Sequence, residues 1–265
     1  MMLRVCLAAL AAITAAASPV DYGCTEPLKV AYFRFGYLYS KDKAGRNVGI
    51  DVDLIRELSR LIGCRFEERE LSRVLIWQAL EKGQLDVATA GLATPARLVY
   101  AAFVPYFVSH NDFLLRSESV NIQTPEDFLA APDKVLGVVK SFQHGKPYDG
   151  LVEQLRKQDR VAEAADLEIL ANWMRIGRVQ AMMSHPIIYR QLFSDQEMKG
   201  ISIRHWADSS ELLLGSLVLS RKHFSADALQ RWDKLFQELR RNGTIEGLYA
   251  RYLGPDIAKT LVPSP

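Results

Sequence analysis

The 265-residue sequence lacks the patterns that mark common enzymes and nucleic-acid-binding proteins. Its 33 basic and 31 acidic residues nearly cancel, so it has no excess of positive charge for binding a polyanion. It contains no GxSxG, GxxxxGK[ST] or GxGxxG motif, and no two of its five histidines stand at HxH or HxxxH spacing. These absences weakly favour binding over catalysis, and we expect no nucleic-acid partner, no metal site and no cofactor.

Long apolar runs are also missing, except within the first twenty residues. There Arg4 precedes an uncharged run from Val5 to Ala17 that is too short to span a hydrocarbon layer of about 30 Å. The basic start and the small residues before Ser18 are typical of a secretory signal peptide over residues 1–17. The alternative is a buried N-terminal helix.

Cysteine is scarce, with three residues, of which Cys6 would leave with the signal peptide. Cys24 and Cys64 would then remain as a pair in an oxidising compartment, each just before a predicted strand. If those strands are parallel neighbours, their starts lie side by side and the two sulfurs can meet. The alternative is two free, buried thiols.

The rest of the chain alternates strand and helix patterns, which predicts an α/β fold of mostly parallel sheets flanked by helices. The first unit has strands at 28–33, 66–70 and 85–90, with helices at 51–62 and 74–82 and a short helical turn at 95–100. A second αβ pattern covers 113–193, and an apolar strand at 212–220 precedes helices at 226–241 and 245–252. The doubled pattern predicts a two-lobed protein with a cleft.

Several short motifs follow one another along the chain in the order of a known family. They are NVGIDVDL at 47–54, ALEKGQLD at 79–86, AG at 90–91, TPAR at 94–97, VPY at 104–106, GRV at 177–179, NGT at 242–244 and YLG at 252–254. From about Leu28 to Gly254 the chain resembles the bacterial periplasmic solute-binding proteins of family 3, the polar amino acid type that serves ABC importers.

The resemblance implies a type II periplasmic binding protein fold with two lobes joined by two crossing strands. Lobe one would comprise 19–109 and 209–265, and lobe two 110–208, with crossings near Ser109–Asp112 and Trp206–Ser210. It further implies a monomeric periplasmic protein that binds a small ligand between the lobes and delivers it to an inner-membrane ABC permease.

The same resemblance assigns roles in the cleft. Arg97, the arginine of the TPxR motif, would grip a ligand carboxylate, for which a guanidinium fork is well suited. Phe35 would stack over the ligand, and backbone N–H groups of Ala93 and Thr94 would meet a carboxylate oxygen. The loop before a predicted helix would also contact the ligand through Ser141, Phe142 and Gln143. The alternative for Arg97 is a solvent-exposed surface arginine, and the alternative for Phe35 is simple packing. For the loop at 141–143 the alternative is a plain connection without ligand contact.

The sequence departs from the family where a lobe-two aspartate normally binds the ligand's amino group, because His185 stands at that position. Arg34 and Arg73 align near positions that face the cleft, so positive side chains gather there. We therefore expect a small anionic ligand, such as a dicarboxylate or an acidic amino acid derivative, rather than a plain α-amino acid. The same arginines would alternatively be solvated surface charges, and the sequence leaves the protonation of His185 open.

Two other functions are compatible with the same fold. One is a dehydratase-like enzyme, in which Glu68, Glu70 or His185 would serve as acid or base. The other is an exported sensor or accessory protein that works without a transporter.

Overall fold

The computed structural model describes residues 20–119, 121–140, 144, 146–206 and 212–263, so the predicted signal peptide lies outside the described residues. Its strands β1 to β12 are Leu28–Tyr32, Ser40–Lys41, Asn47–Val48, Phe66–Glu70, Val87–Gly91, Ala101–Ser109, Asp112–Arg116, Leu136–Val139, Val161–Ala164, Ala181–Ser184, Ile201–Arg204 and Leu213–Ser220. Its helices α1 to α11 are Ile50–Ile62, Arg73–Lys82, Pro95–Leu98, Pro125–Ala130, Lys146–Arg156, Leu167–Arg175, Pro186–Leu192, Asp195–Met198, Ala226–Arg241, Thr244–Leu253 and Pro255–Leu261.

Two five-stranded sheets with the same mixed pattern organise these elements. In the first sheet, ordered β4-β1-β5-β12-β6, strands β4, β1 and β5 are parallel and β12 is antiparallel to both neighbours. In the second sheet, ordered β11-β7-β10-β8-β9, strands β10, β8 and β9 are parallel and β7 is antiparallel to both neighbours. The predicted α/β class, with two sheets flanked by helices, is confirmed.

The chain passes from the first sheet to the second between Ser109 and Asp112, and it returns between Arg204 and Leu213. We call the first sheet with α1–α3 and α9–α11 lobe one, and the second sheet with α4–α8 lobe two. Buried apolar clusters fill each lobe, and Ile187 of lobe two joins the main cluster of lobe one. The boundaries at residues 109 and 209 stay predictions.

Helix α1 shows how the sequence produces these elements. Leu54, Ile55 and Leu58 recur at helical spacing, and all three are buried in the core of lobe one. The helix ends at Gly63, whose φ of 72° is left-handed, and the Gly63 N–H bonds the Ser59 carbonyl. The apolar stripe and the glycine stop were both visible in the sequence.

A disulfide joins Cys24 and Cys64, whose Cα atoms are 5.5 Å apart. Strands β1 and β4 are parallel neighbours in a register that pairs Leu28 with Phe66. Their starts therefore lie side by side, as the sequence argument requires. The predicted disulfide is confirmed over the alternative of two free thiols.

Strand β6 is absent from the sequence-based assignment, which passes from a helical turn at 95–100 to a strand at 113. The strand is nine residues long and lies at the edge of the first sheet, next to β12. Pro105 in its middle argues against a central strand, but an edge strand tolerates proline. Arg240 of α9 donates from Nη1 to the Pro105 carbonyl at 2.5 Å.

Other differences concern short elements. The strand predicted at 85–90 occupies Val87–Gly91, and α3 ends at Leu98 rather than Tyr100. Helix α11 and strand β11 were not predicted from the sequence. Among the described residues, no helix is both long enough and apolar enough to cross a membrane.

Candidate functional site

The candidate site lies where β1 and β5 of lobe one end. These strands are parallel, so their carboxyl ends meet at one edge of the sheet, which is where open α/β sheets bind ligands. Phe33 follows β1, Leu92 follows β5, and helix α2 begins with Arg73. The family-derived candidates Phe35 and Arg97 belong to the same segments.

Arg97 is held in place by its own loop and by an aromatic ring. Thr94 caps α3, because its Oγ1 accepts from the Arg97 N–H at 3.3 Å. The Arg97 guanidinium lies 3.7 Å from the ring centroid of Trp77, and its Nη1 donates to the Leu92 carbonyl at 2.9 Å. The half-buried side chain thus has a fixed position, and its remaining N–H groups are available to an acceptor.

Arg73 begins α2 near enough to Arg97 to feel its charge, but its side chain is exposed, whereas that of Arg97 is half-buried. Its guanidinium stands 4.9 Å from the centroid of the Phe33 ring. Loss of hydration lowers the pKa of Arg73, and the charge of Arg97 lowers that pKa further. Loss of hydration also lowers the pKa of Arg97. Both groups stay protonated at neutral pH, because an arginine pKa lies far above 7.

No carboxylate among the described residues forms an ion pair with Arg73 or Arg97. Two like charges close together raise each other's electrostatic energy, and the effect grows as water is removed. An anion placed between the two guanidinium groups would remove that repulsion. The arrangement is therefore suited to binding a carboxylate.

A buried hydrogen-bond relay shapes the loop that carries Arg97. Ala90 has a left-handed φ of 53°, and its N–H donates to the Tyr106 hydroxyl at 3.0 Å. That hydroxyl donates to Asp51 Oδ1 at 2.5 Å. The pairing of β5 with β12 shifts register at this point. The relay thus stabilises an unusual backbone conformation just before the loop from Leu92 to Thr94.

This relay was not predicted from the sequence, although both of its side chains belong to motifs. Asp51 belongs to the NVGIDVDL motif and Tyr106 to the VPY motif, but their contact depends on packing. Trp77 was also missed. It lies four residues after Arg73 on α2 and therefore on the same helix face, which was the available signal.

His185 precedes α7 and lies between the lobes. It is buried, its Nδ1 is 2.7 Å from Ser109 Oγ, and its ring centroid is 6.1 Å from that of Phe35. Burial lowers the pKa of His185 to about 4. His185 is therefore neutral at pH 7 and supplies neither a negative charge for an ammonium group nor a positive charge for an anion.

The loop after Phe35 touches α7 of lobe two directly. Gly36 has a left-handed φ of 53°, and a Cβ at this position would lie 2.4 Å from the Ile187 carbonyl oxygen. The next residue, Tyr37, donates its N–H to that same oxygen at 3.1 Å, and its hydroxyl bonds the Arg190 carbonyl at 3.2 Å. Only glycine at position 36 permits this approach of the two lobes.

The remaining predicted residues are less closely involved. Arg34 is exposed, and its Nε lies 2.8 Å from Glu70 Oε1, so its charge is already opposed. Ala93 is exposed and Thr94 half-buried in the loop before α3. The other three candidates, Ser141, Phe142 and Gln143, lie outside the described residues. The ligand-binding role of every predicted residue stays a prediction.

Comparison with known proteins identifies the class. The family model for the bacterial extracellular solute-binding proteins, family 3, matches residues 29–255 of this chain. The chain therefore belongs to this family, as the motifs suggested.

Relatives within the family are distant. A protein of Haemophilus influenzae described as a probable amino-acid ABC transporter-binding protein is 23% identical over 221 residues, 82% of this chain and 80% of the relative. The arginine-binding extracellular protein ArtP of Bacillus subtilis is 24% identical over 214 residues, 79% of this chain and 80% of ArtP. These relatives support a solute-binding role.

Solved structures show the same fold. An ancestral cationic amino acid solute-binding protein superposes with a TM-score of 0.68 at 19% identity, covering 86% of this chain and 95% of that chain. Another structure of that protein, with a TM-score of 0.64 at 18% identity and 86% and 95% coverage, describes it as a precursor of cyclohexadienyl dehydratase. The type II periplasmic binding protein fold is confirmed.

Proposed function

We propose that this protein is an exported solute-binding protein that captures a small carboxylate-bearing molecule between its two lobes and delivers it to an ABC importer in the inner membrane. The observation that carries the proposal is the pair formed by Arg73 and Arg97, which has no acidic partner among the described residues. Family membership supports the solute-binding role.

Arg97 is the primary contact in this proposal. Its guanidinium is already fixed over Trp77, so little side-chain entropy is lost when a carboxylate binds. A two-point hydrogen bond in a partly dehydrated site is stronger than the same bond in water. Arg73 adds a second positive charge close by, and Phe35 offers an aromatic face next to His185.

The ligand class follows from the charges. Two arginines attract negative charge, whereas neutral His185 leaves an ammonium group without a counter-charge at that position. We therefore propose a dicarboxylate or an acidic amino acid derivative as the ligand. The names of the relatives point instead to cationic or other amino acids, so the ligand has to be tested directly.

Isothermal titration calorimetry on the mature protein, unfolded and refolded to remove carried-over ligand, tests the proposal. The panel contains dicarboxylates, acidic, neutral and cationic amino acids. We expect binding of dicarboxylates or acidic amino acids. Arg97→Ala should weaken that binding by about 100-fold or more, because the carboxylate loses its partner in a partly dehydrated site.

Arg46→Ala is the matched control, because Arg46 is exposed in a loop and already paired with Asp42 at 2.7 Å. Its affinity should equal that of the wild type. Recovery of unchanged ligand after incubation separates binding from dehydratase-like turnover. Binding of neutral or cationic amino acids alone, or full affinity in Arg97→Ala, would contradict the proposal.

Delivery to an importer is tested separately. The ligand-loaded protein should co-purify with an inner-membrane ABC permease after cross-linking in cells. If the protein binds its ligand but no permease co-purifies with it, the sensor or accessory function is favoured instead.

A further inference from the structure

A second cluster of polar side chains lies where the chain crosses between the lobes, apart from the arginine pair. Asp112 begins β7 and is fully buried. Its Oδ1 is 2.9 Å from His110 Nε2 and 2.6 Å from His205 Nδ1. One nitrogen or oxygen atom from each of the three side chains lies within 4.8 Å of the other two. Two imidazole nitrogens and a carboxylate oxygen therefore converge on one point.

The other oxygen of Asp112 is also held. Tyr189 of α7 donates its hydroxyl to Asp112 Oδ2 at 2.8 Å, which fixes the orientation of the carboxylate. Contacts of this kind orient the ligands of a metal ion and strengthen its binding. The cluster thus has both the donor atoms and the supporting contact of a metal site.

The cluster is also accessible. It forms part of the wall of a cavity of about 570 Å³, and the side chain of His205 is 66% exposed. The cavity provides room for water molecules to complete the coordination of an ion.

We propose that His110, Asp112 and His205 bind one divalent transition-metal ion, for which Zn²⁺ is the probe, at the crossing between the lobes. Two imidazoles and one carboxylate, with water in the remaining position, form a donor set that Zn²⁺ takes readily. Hard ions such as Mg²⁺ prefer oxygen ligands and should bind poorly here. Binding of this ion does not depend on which solute the protein captures.

An ion in this position would link both passages between the lobes. His110 and Asp112 stand on the first passage, and His205 stands on the second, directly after β11. Hydrogen bonds from the two rings to Asp112 already bring these segments together. A bound ion replaces them with coordinate bonds, so it should restrain the relative movement of the lobes.

Calorimetric titration of Zn²⁺ into the tag-free, chelator-treated mature protein tests this site. We expect one equivalent of Zn²⁺ to bind and no binding of Mg²⁺. His205→Ala and His110→Ala should each abolish one-to-one binding, because each removes one of three ligands. Tyr189→Phe should weaken binding by about 10-fold or more while leaving the ligands in place.

His223→Ala is the matched control. His223 also lies beside a carboxylate, with Nδ1 3.3 Å from Asp86 Oδ1, but it stands in lobe one away from the cluster. This variant should bind one Zn²⁺ as the wild type does. A Co²⁺ complex should show visible absorption bands that His205→Ala loses. Thermal melts without metal check that His205→Ala folds, and His205→Gln serves as a second variant.

Two results would overturn the inference. One is the absence of stoichiometric Zn²⁺ binding by the wild-type protein. The other is unchanged Zn²⁺ binding by a folded variant that carries both His110→Ala and His205→Ala, because the ion would then bind elsewhere.

Discussion

Asp51 is a carboxyl group buried in the first turn of α1, within hydrogen-bond reach of Tyr106. Burial raises the pKa of Asp51 to about 7, and hydrogen bonds from Thr89 and Tyr106 oppose that rise only in part. In the unfolded chain the same group would ionise near pH 4. Folding therefore favours protonated Asp51 between these two pH values.

The sign of the resulting pH dependence follows from proton binding. Between about pH 4 and pH 7 the folded protein holds a proton that the unfolded chain releases, so the stability from Asp51 falls as pH rises through this window. Asp51→Asn keeps the acceptor for Tyr106 and cannot ionise. In urea titrations at pH 8, its free energy of unfolding should exceed that of the wild type by up to about 4 kcal/mol. The difference should be smaller at pH 5. If the difference in free energy of unfolding between the two proteins were the same at pH 5 and pH 8, the raised pKa assigned to Asp51 would be wrong.

At this scale, the sequence supplied candidate ligand contacts, whose role stays a prediction, but not the environment of their side chains. Arg97 and Arg73 were identified from a motif and from charge. The fixation of Arg97 over Trp77 and the neutrality of His185 could not be predicted, because both depend on tertiary packing and burial. Likewise, the spacing of histidines gave no sign of the His110–Asp112–His205 cluster, since His205 lies on a different segment from His110 and Asp112.

Among the elements, the disulfide has a defined place, joining the chain just before β1 to the chain just before β4. It closes a loop of 40 residues around α1 and restricts the unfolded chain.

The double variant Cys24→Ser, Cys64→Ser should lose up to about 4 kcal/mol of free energy of unfolding, because its unfolded chain is less restrained. Denaturant titration of the wild type with and without reductant should give the same difference. Equal unfolding midpoints for the oxidised wild type and the double variant would show that the bond adds no stability.

Elements with strong local signals were predicted well, and those set by tertiary context were not. Helix α1 carries an apolar stripe and a glycine stop, so its prediction succeeded. Strand β6 is apolar on both sides of Pro105 and becomes a strand only because it pairs with β12 at the edge of the sheet. Strand β11 has four residues, too few for a clear alternation.

At the scale of the whole molecule, the two lobes meet where Gly36 approaches Ile187 of α7. Since α7 is also tied to the crossing segment through His185 and Tyr189, its position is linked to both lobes. This contact is therefore well placed to influence how far the lobes separate.

Gly36→Ala should push the lobes apart, because its Cβ would clash with the Ile187 carbonyl oxygen and Gly36 has a left-handed φ. Small-angle X-ray scattering should show a larger radius of gyration, and ligand affinity should fall. Gly45→Ala is the control, because Gly45 also has a left-handed φ of 77° but has nothing within 4 Å of a Cβ. An equal response in both variants would assign the effect to backbone strain alone.

The Pro105–Arg240 contact in lobe one affects how the edge of the first sheet can interact with another molecule of this protein. Strand β6 leaves one side of the first sheet open, and such edges can recruit a strand from another molecule. At residue 105 the backbone has no N–H to donate, and its carbonyl is already taken by Arg240. The middle of this edge is therefore protected against strand addition and edge-to-edge aggregation.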